Sequence, residues 1–162
     1  MKIAIASDHR GYPLKIELIK YLSKKYEVLD YGTNSTESTD YTDYAFPLGE
    51  SVAAKEVDFG IVICGTGIGI SIACNKVIGV RCSKVDNVKE AELTRIDNDA
   101  NVLALNGSMP LYRAKDIVDV FFNTDFSNLE KHNRRINKIS EYENNISKKK
   151  HKEKKETKEN DA

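Results

Sequence analysis

Short apolar runs alternate along the chain with segments whose apolar positions recur three and four residues apart. Ile3-Ala4-Ile5-Ala6 is an unbroken apolar run of strand length and predicts a buried strand. Leu14, Leu18, Tyr21 and Leu22 follow at helical spacing, with Pro13 placed for a first turn. Val28-Leu29-Asp30-Tyr31 predicts a second strand, closed by Gly32, and residues 33–43 are rich in Thr, Ser, Asn and Asp and predict a loop. A short helix carrying Leu48 and Val52 is predicted over 47–55. The most apolar run, residues 59–63, predicts a central strand. Helices over 68–76 and 88–96 flank a strand over 80–83. A fifth strand follows over 102–105, then an amphipathic helix over 114–122. A last helix begins near Leu129 and carries Ile136 and Ile139.

Strand runs separated by helices imply βαβ units. The expected fold is α/β, an open five-stranded parallel sheet with helices on both faces, a Rossmann-like three-layer sandwich. Such sheets bind ligands beyond the carboxyl ends of their strands, where the strand order reverses. That places the search at residues 7–11, 32–44, 64–69, 83–87 and 106–108.

Composition narrows the classes. The 162 residues fit one ordinary domain, and 40% hydrophobic with 31% charged residues suits a core with a soluble exterior. Lys+Arg and Asp+Glu both number 25, so nucleic acid and anionic membrane are not expected partners. No apolar run approaches the ~20 residues of a membrane span. The opening MKIAIASDHRGY turns polar too soon for a signal peptide. Cys64, Cys74 and Cys82 lack CxxC spacing, so neither a disulfide framework nor a zinc site is indicated, and a reducing cytoplasm is the expected setting. Residues 147–162 hold no large apolar side chain and predict a lysine- and glutamate-rich, disordered or frayed-helical tail. The folded domain is then about 1–146.

The strongest chemical signal is Cys64-Gly65-Thr66-Gly67-Ile68-Gly69-Ile70-Ser71, directly after the most apolar strand. Glycines there permit a tight turn whose successive N–H groups, with a helix N-terminus behind them, hold an anion or a developing oxyanion. A tight turn with no ligand has the same composition. Cys64 sits at the rim of this cradle, either as a nucleophile and base or as a small apolar residue ending a strand. Asp8 and His9 follow the first strand and project at the same sheet end, where an acid and an imidazole can bind sugar hydroxyls and move protons. The same pair also suits a helix N-cap with a solvated neighbour. Asp40, Tyr41 and Tyr44 stand in the polar loop that reaches the same crevice.

Together these segments resemble the type B ribose-5-phosphate isomerases, in the family that also holds galactose-6-phosphate isomerase. The matching stretches are SDHRGY at 7–12, DYGT at 30–33, TDY at 39–41, DFGIVICGTGIGISIACNK at 58–76, GVR at 79–81, NDANVLA at 98–104 and the pair His132 and Arg135. The resemblance implies aldose–ketose interconversion of ribose 5-phosphate and ribulose 5-phosphate through a cis-enediolate, without metal or cofactor. Cys64 maps to the base. Gly65, Thr66, Gly67, Ile68 and Gly69 map to the cradle for the enediolate oxygens, and Asp8, His9, Tyr41 and Asn98 to substrate contacts. It also implies a homodimer, in some members a tetramer, with the site at the subunit interface and late basic residues, here Arg135 and Lys131, arriving from the partner.

Three positions depart from the family pattern. Asp97 stands where the family has a ring-opening histidine, and an ordinary Asp is ionised at neutral pH. Asn106-Gly107-Ser108-Met109 lacks the arginine that binds phosphate after the fifth strand, a gap that Arg10, Arg113 or Arg134 can fill by reaching in instead. Lys131 replaces an arginine and so loses its bidentate fork. These departures keep two alternatives open: an isomerase of a hexose 6-phosphate of the allose or galactose type, and a sugar-phosphate-binding relative with weakened catalysis. A receiver-type module with Asp8 as phosphoacceptor leaves the Cys64 cradle unexplained.

Overall fold

The computed structural model describes all residues from Met1 to Ala162, in two compact units, Met1–Ser127 and Asn128–Ala162. In the first unit the chain runs β1 (Lys2–Ser7), α1 (Tyr12–Leu22), β2 (Glu27–Asp30), α2 (Thr42–Ala53), β3 (Phe59–Cys64), α3 (Ile68–Cys74), β4 (Cys82–Lys84), α4 (Val88–Asn98), β5 (Val102–Asn106) and α5 (Leu111–Asn123). The five strands form one parallel sheet in the order β2-β1-β3-β5-β4. The order therefore reverses between β1 and β3, which places the carboxyl ends of those two strands at the crevice where such folds take ligands.

The period-two alternation of strand side chains sorts the core into two layers. Ile3, Ile5, Ile61, Ile63, Leu103 and Leu105 face one layer with Leu14, Leu18, Ala114, Ile117 and Phe121 of α1 and α5. Ala4, Ala6, Val62, Cys64, Val102 and Ala104 face the other, with Leu48 and Val52 of α2 and Ile70 and Cys74 of α3. Cys64 is the last side chain on this second face of β3.

The sequence predicts α2 over 47–55, after a polar loop over 33–43. The helix instead begins at Thr42, with Pro47 inside it. Ala45, Leu48 and Val52 are buried at helical spacing, and that packing outweighs the hydrogen bond that proline cannot donate. The earlier start shortens the polar loop and brings Tyr41 to the helix N-cap.

The second unit is a single helix, α6 (Glu130–Asn160). Residues 147–160, expected to be disordered or frayed-helical, lie within this helix. Strong helix formers and pairs such as Lys152–Glu156, 4.0 Å apart, support the helical state locally. No helix is long and apolar enough to cross a membrane.

Candidate active site

Asp8 and His9 leave β1 beside the end of β3. The Asp8 amide donates to the Ile63 carbonyl at 3.1 Å, which fixes the turn to the neighbouring strand. Asp8 Oδ1 accepts from the amides of Arg10 at 2.9 Å and Gly11 at 3.0 Å, an Asx-type turn that locks the loop into α1. Gly11 is required here, since a Cβ would lie 2.5 Å from the Ile63 carbonyl oxygen. His9 Nδ1 accepts from the Thr39 amide at 3.2 Å. In the neutral ring this leaves the proton on Nε2 as a donor.

β3 ends on Cys64, which is only 4% exposed. The Gly67 amide donates to Cys64 Sγ at 3.2 Å, setting partial positive charge beside the sulfur and fixing its orientation. The turn that aims this amide needs φ +77° at Gly67, and a Cβ there would meet the Leu105 carbonyl at 2.9 Å. Thr66 Oγ1 accepts from the Ile68 amide at 3.1 Å, so its own hydroxyl proton remains free to donate. α3 spans only seven residues. The charge offered to an anion therefore comes mainly from the cradle's amides and Thr66, with little from so short a helix.

These residues converge. Asp8, His9, Tyr41, Cys64, Gly65, Thr66, Ile68 and Gly69 line one cavity of about 440 Å³, with Gly67 buried beneath it. The Tyr41 ring lies over Gly69, so close that a Cβ there would be 2.8 Å from it. Tyr44 stands behind this wall, and hydrogen bonds from Thr33 and Thr39 lower its phenol below the ordinary value. A larger hollow of about 630 Å³ opens among Asp30, Thr33, Asn34 and Tyr44 but holds neither the thiol nor the imidazole, so size does not mark the chemistry. No group of three or more His, Cys, Asp or Glu side chains is placed to hold a metal ion.

Asp97 and Asn98 do not join this cavity. They end α4, a helix that starts beyond the carboxyl end of β4 and returns to the amino ends of the strands. Arg81, just before β4, donates through Nε to the Asn98 carbonyl at 3.0 Å and the Asp99 carbonyl at 3.1 Å. Asp97 and Asn98 are thus at the sheet edge opposite Cys64. Lys131 and Arg135 are exposed on α6, in the second unit. Arg10, one of the three arginines the sequence offers in place of the missing one, lines the cavity, as does Thr39. Arg10 carried one signal, its position directly after His9 at a strand's carboxyl end. Thr39 stands in the matching stretch at 39–41, but its contact with His9 spans thirty residues and has no local signature.

A ribose/galactose isomerase family model matches residues 3–139. The ribose-5-phosphate isomerase B of Escherichia coli is 43% identical over 144 residues, covering 88% of this chain and 96% of its own. The ribose-5-phosphate isomerase B structure from Clostridium thermocellum superposes with a TM-score of 0.87 at 47% identity, covering 90% of this chain and 99% of that one. The enzyme from Mycoplasma genitalium, solved with bound ribulose-5-phosphate, superposes with a TM-score of 0.84 at 40% identity and covers 88% of this chain and 96% of that one.

Proposed function

Because the chain belongs to the ribose/galactose isomerase family, we propose that it interconverts ribose 5-phosphate and ribulose 5-phosphate with Cys64 as the base. The observation that carries this reading is the Cys64 sulfur at the floor of the cavity, fixed by the Gly67 amide. As a thiolate, Cys64 takes the proton from carbon 2 of the open-chain aldose. The electron pair of that C–H bond forms the C1=C2 bond, and the carbonyl oxygen takes the negative charge. The proton of the carbon 2 hydroxyl then passes to the oxygen on carbon 1, and the proton held by Cys64 returns to carbon 1, which yields the ketose and restores the thiolate. The Thr66 hydroxyl and those amides of residues 65–69 not already bonded to Cys64 or Thr66 face the oxygens of the cis-enediolate, where fixed donors favour charge that develops in the transition state. Asp8, His9 and Tyr41 hold the sugar.

The remaining residues enter from a second copy. Asp97 and Asn98 sit at the wrong sheet edge to serve their own chain's Cys64, and a homodimer with its site at the subunit interface removes that difficulty. Lys131 and Arg135 belong to the same proposal, as cations donated by the partner. Ile68 and Ile72 on α3 are 53% and 56% exposed beside the cavity, an apolar rim suited to contact with another subunit. Asp97 takes the ring-opening position in this arrangement.

A panel of ribose 5-phosphate, allose 6-phosphate and galactose 6-phosphate tests the reading on purified protein. Turnover is expected to be fastest with ribose 5-phosphate. Faster turnover of a hexose phosphate would reassign the substrate, and binding without turnover would leave only a sugar-phosphate-binding relative.

A further inference from the structure

We propose that Arg10 is the residue through which this pocket grips the substrate's phosphate. The assignment rests on the sugar-phosphate reading above and adds to it a specific anion contact. Arg10 is the only Lys or Arg lining the cavity. Its guanidinium is bonded to no carboxylate, and the one hydrogen bond at this residue's donors is from its backbone amide to Asp8. The charge and the planar fork of N–H donors are therefore available to a ligand, and that fork matches two oxygens of a phosphate.

The surrounding backbone is shaped to hold this side chain in the site. The Asp8 carboxylate fixes the Arg10 amide at 2.9 Å. The Arg10 carbonyl packs against Gly107, where a Cβ would be 2.7 Å away, and the Gly107 amide donates to the Cys64 carbonyl at 2.8 Å. The Arg10 side chain then lies across Gly65, where a Cβ would be 2.8 Å from Cδ and 3.4 Å from Nη1. Two glycines from two different loops thus leave room for one arginine. The residue after Cys64 is bare where the Arg10 side chain crosses it.

The polarity of the cavity fits a sugar phosphate bound end-on. Cys64 is at the closed end, while Arg10 is exposed at the rim. The reacting carbons 1 and 2 go down to the thiol, and the phosphate on carbon 5 stays near the mouth. There it keeps part of its hydration, which limits the cost of taking a dianion out of water. The other arginines outside the second unit's proposed contribution are poor rivals. Arg113 is on α5 and absent from the cavity wall, and Arg134 is paired with Glu130 at 2.5 Å.

Calorimetric titration with inorganic phosphate, on the full-length protein and on Arg10→Met and Arg10→Lys, tests the assignment without requiring turnover. Phosphate is expected to bind the parent, with Arg10→Met weakened about ten- to a hundredfold and Arg10→Lys between the two. With ribose 5-phosphate, the loss in Arg10→Met is expected mainly in KM rather than kcat. Equal phosphate affinity in parent and Arg10→Met, or no binding to the parent, would overturn the proposal. So would a loss confined to kcat, which would move Arg10's role to the developing enediolate. If the parent binds phosphate through Arg10 but turns over no sugar phosphate, the anion site stands and the isomerase reading falls.

Discussion

The Gly67 amide points at the sulfur of Cys64, 3.2 Å away and three residues earlier in the chain. That contact joins the strand that delivers the thiol to the turn that makes the cradle. It exists only because Gly67 adopts φ +77° with its Cα against the Leu105 carbonyl. Replacing Gly67 by alanine adds left-handed strain and a backbone clash together. A loss of about 3 kcal/mol or more in unfolding free energy is expected in denaturant titration, with isomerase activity lost at temperatures where the variant remains folded. Retained stability and activity would mean that the turn relaxes without cost.

The loop that carries Thr39 and Tyr41 is anchored from below by a buried cation. Lys15 is fully buried on α1, and its Nζ donates to Asp30 Oδ1 at 2.5 Å and to the Thr33 carbonyl at 2.6 Å. Asp30→Ala leaves that ammonium without its counter-charge, and a destabilisation of about 3 kcal/mol is expected. The measurement is the shift in denaturation midpoint. A loss below 1 kcal/mol, the scale of a surface pair, would show that solvent reaches Lys15.

Much of this arrangement is readable in the chain, for identifiable reasons. Buried strands of a parallel sheet must be apolar on both faces, so residues 59–63 and 102–105 declare themselves by composition. Glycines that the backbone requires, such as Gly67, also declare themselves, because no other residue tolerates the turn. The start of α2 misleads, since residues 42 and 43 read as part of the polar loop while the packing of Ala45, Leu48 and Val52 carries the helix back to Thr42. Asp97 and Asn98 look contiguous with the site in sequence, yet the direction of α4 carries them to the opposite sheet edge. Periodicity sees neither that reversal nor the Thr39–His9 contact, because both depend on which segments the topology brings together.

Tyr21 offers a pH-dependent check away from the site. Its hydroxyl donates to Asp119 Oδ2 at 2.5 Å, and that bond, with burial, pushes the phenol from an ordinary 10.0 up to about 12. A group raised in the folded state holds its proton more tightly there than in the unfolded chain. Its stabilising contribution is therefore complete below pH 10 and is lost as pH rises towards about 12. Phenolate absorbance should show one late-titrating tyrosine that moves down in Asp119→Asn. An unchanged titration curve would contradict the assignment.

The three thiols should differ in reactivity. Cys82 contacts the Cys74 thiol, and that hydrogen bond, followed by burial, pushes the Cys82 thiol well up. At neutral pH it holds less thiolate, the form that alkylating agents attack. Slow iodoacetamide labelling of Cys82 is expected, accelerating with pH and rising at a given pH in Cys74→Ala. Rapid labelling at neutral pH in the parent would contradict this.

The role of Cys64 is tested most directly by proton exchange at carbon 2. Ribose 5-phosphate incubated in deuterated water with the parent protein should take up deuterium at that carbon. Cys64→Ala should fold normally and show no exchange above the uncatalysed level, since a methyl group cannot accept a proton. Exchange in the alanine variant at the parent's rate would contradict the account.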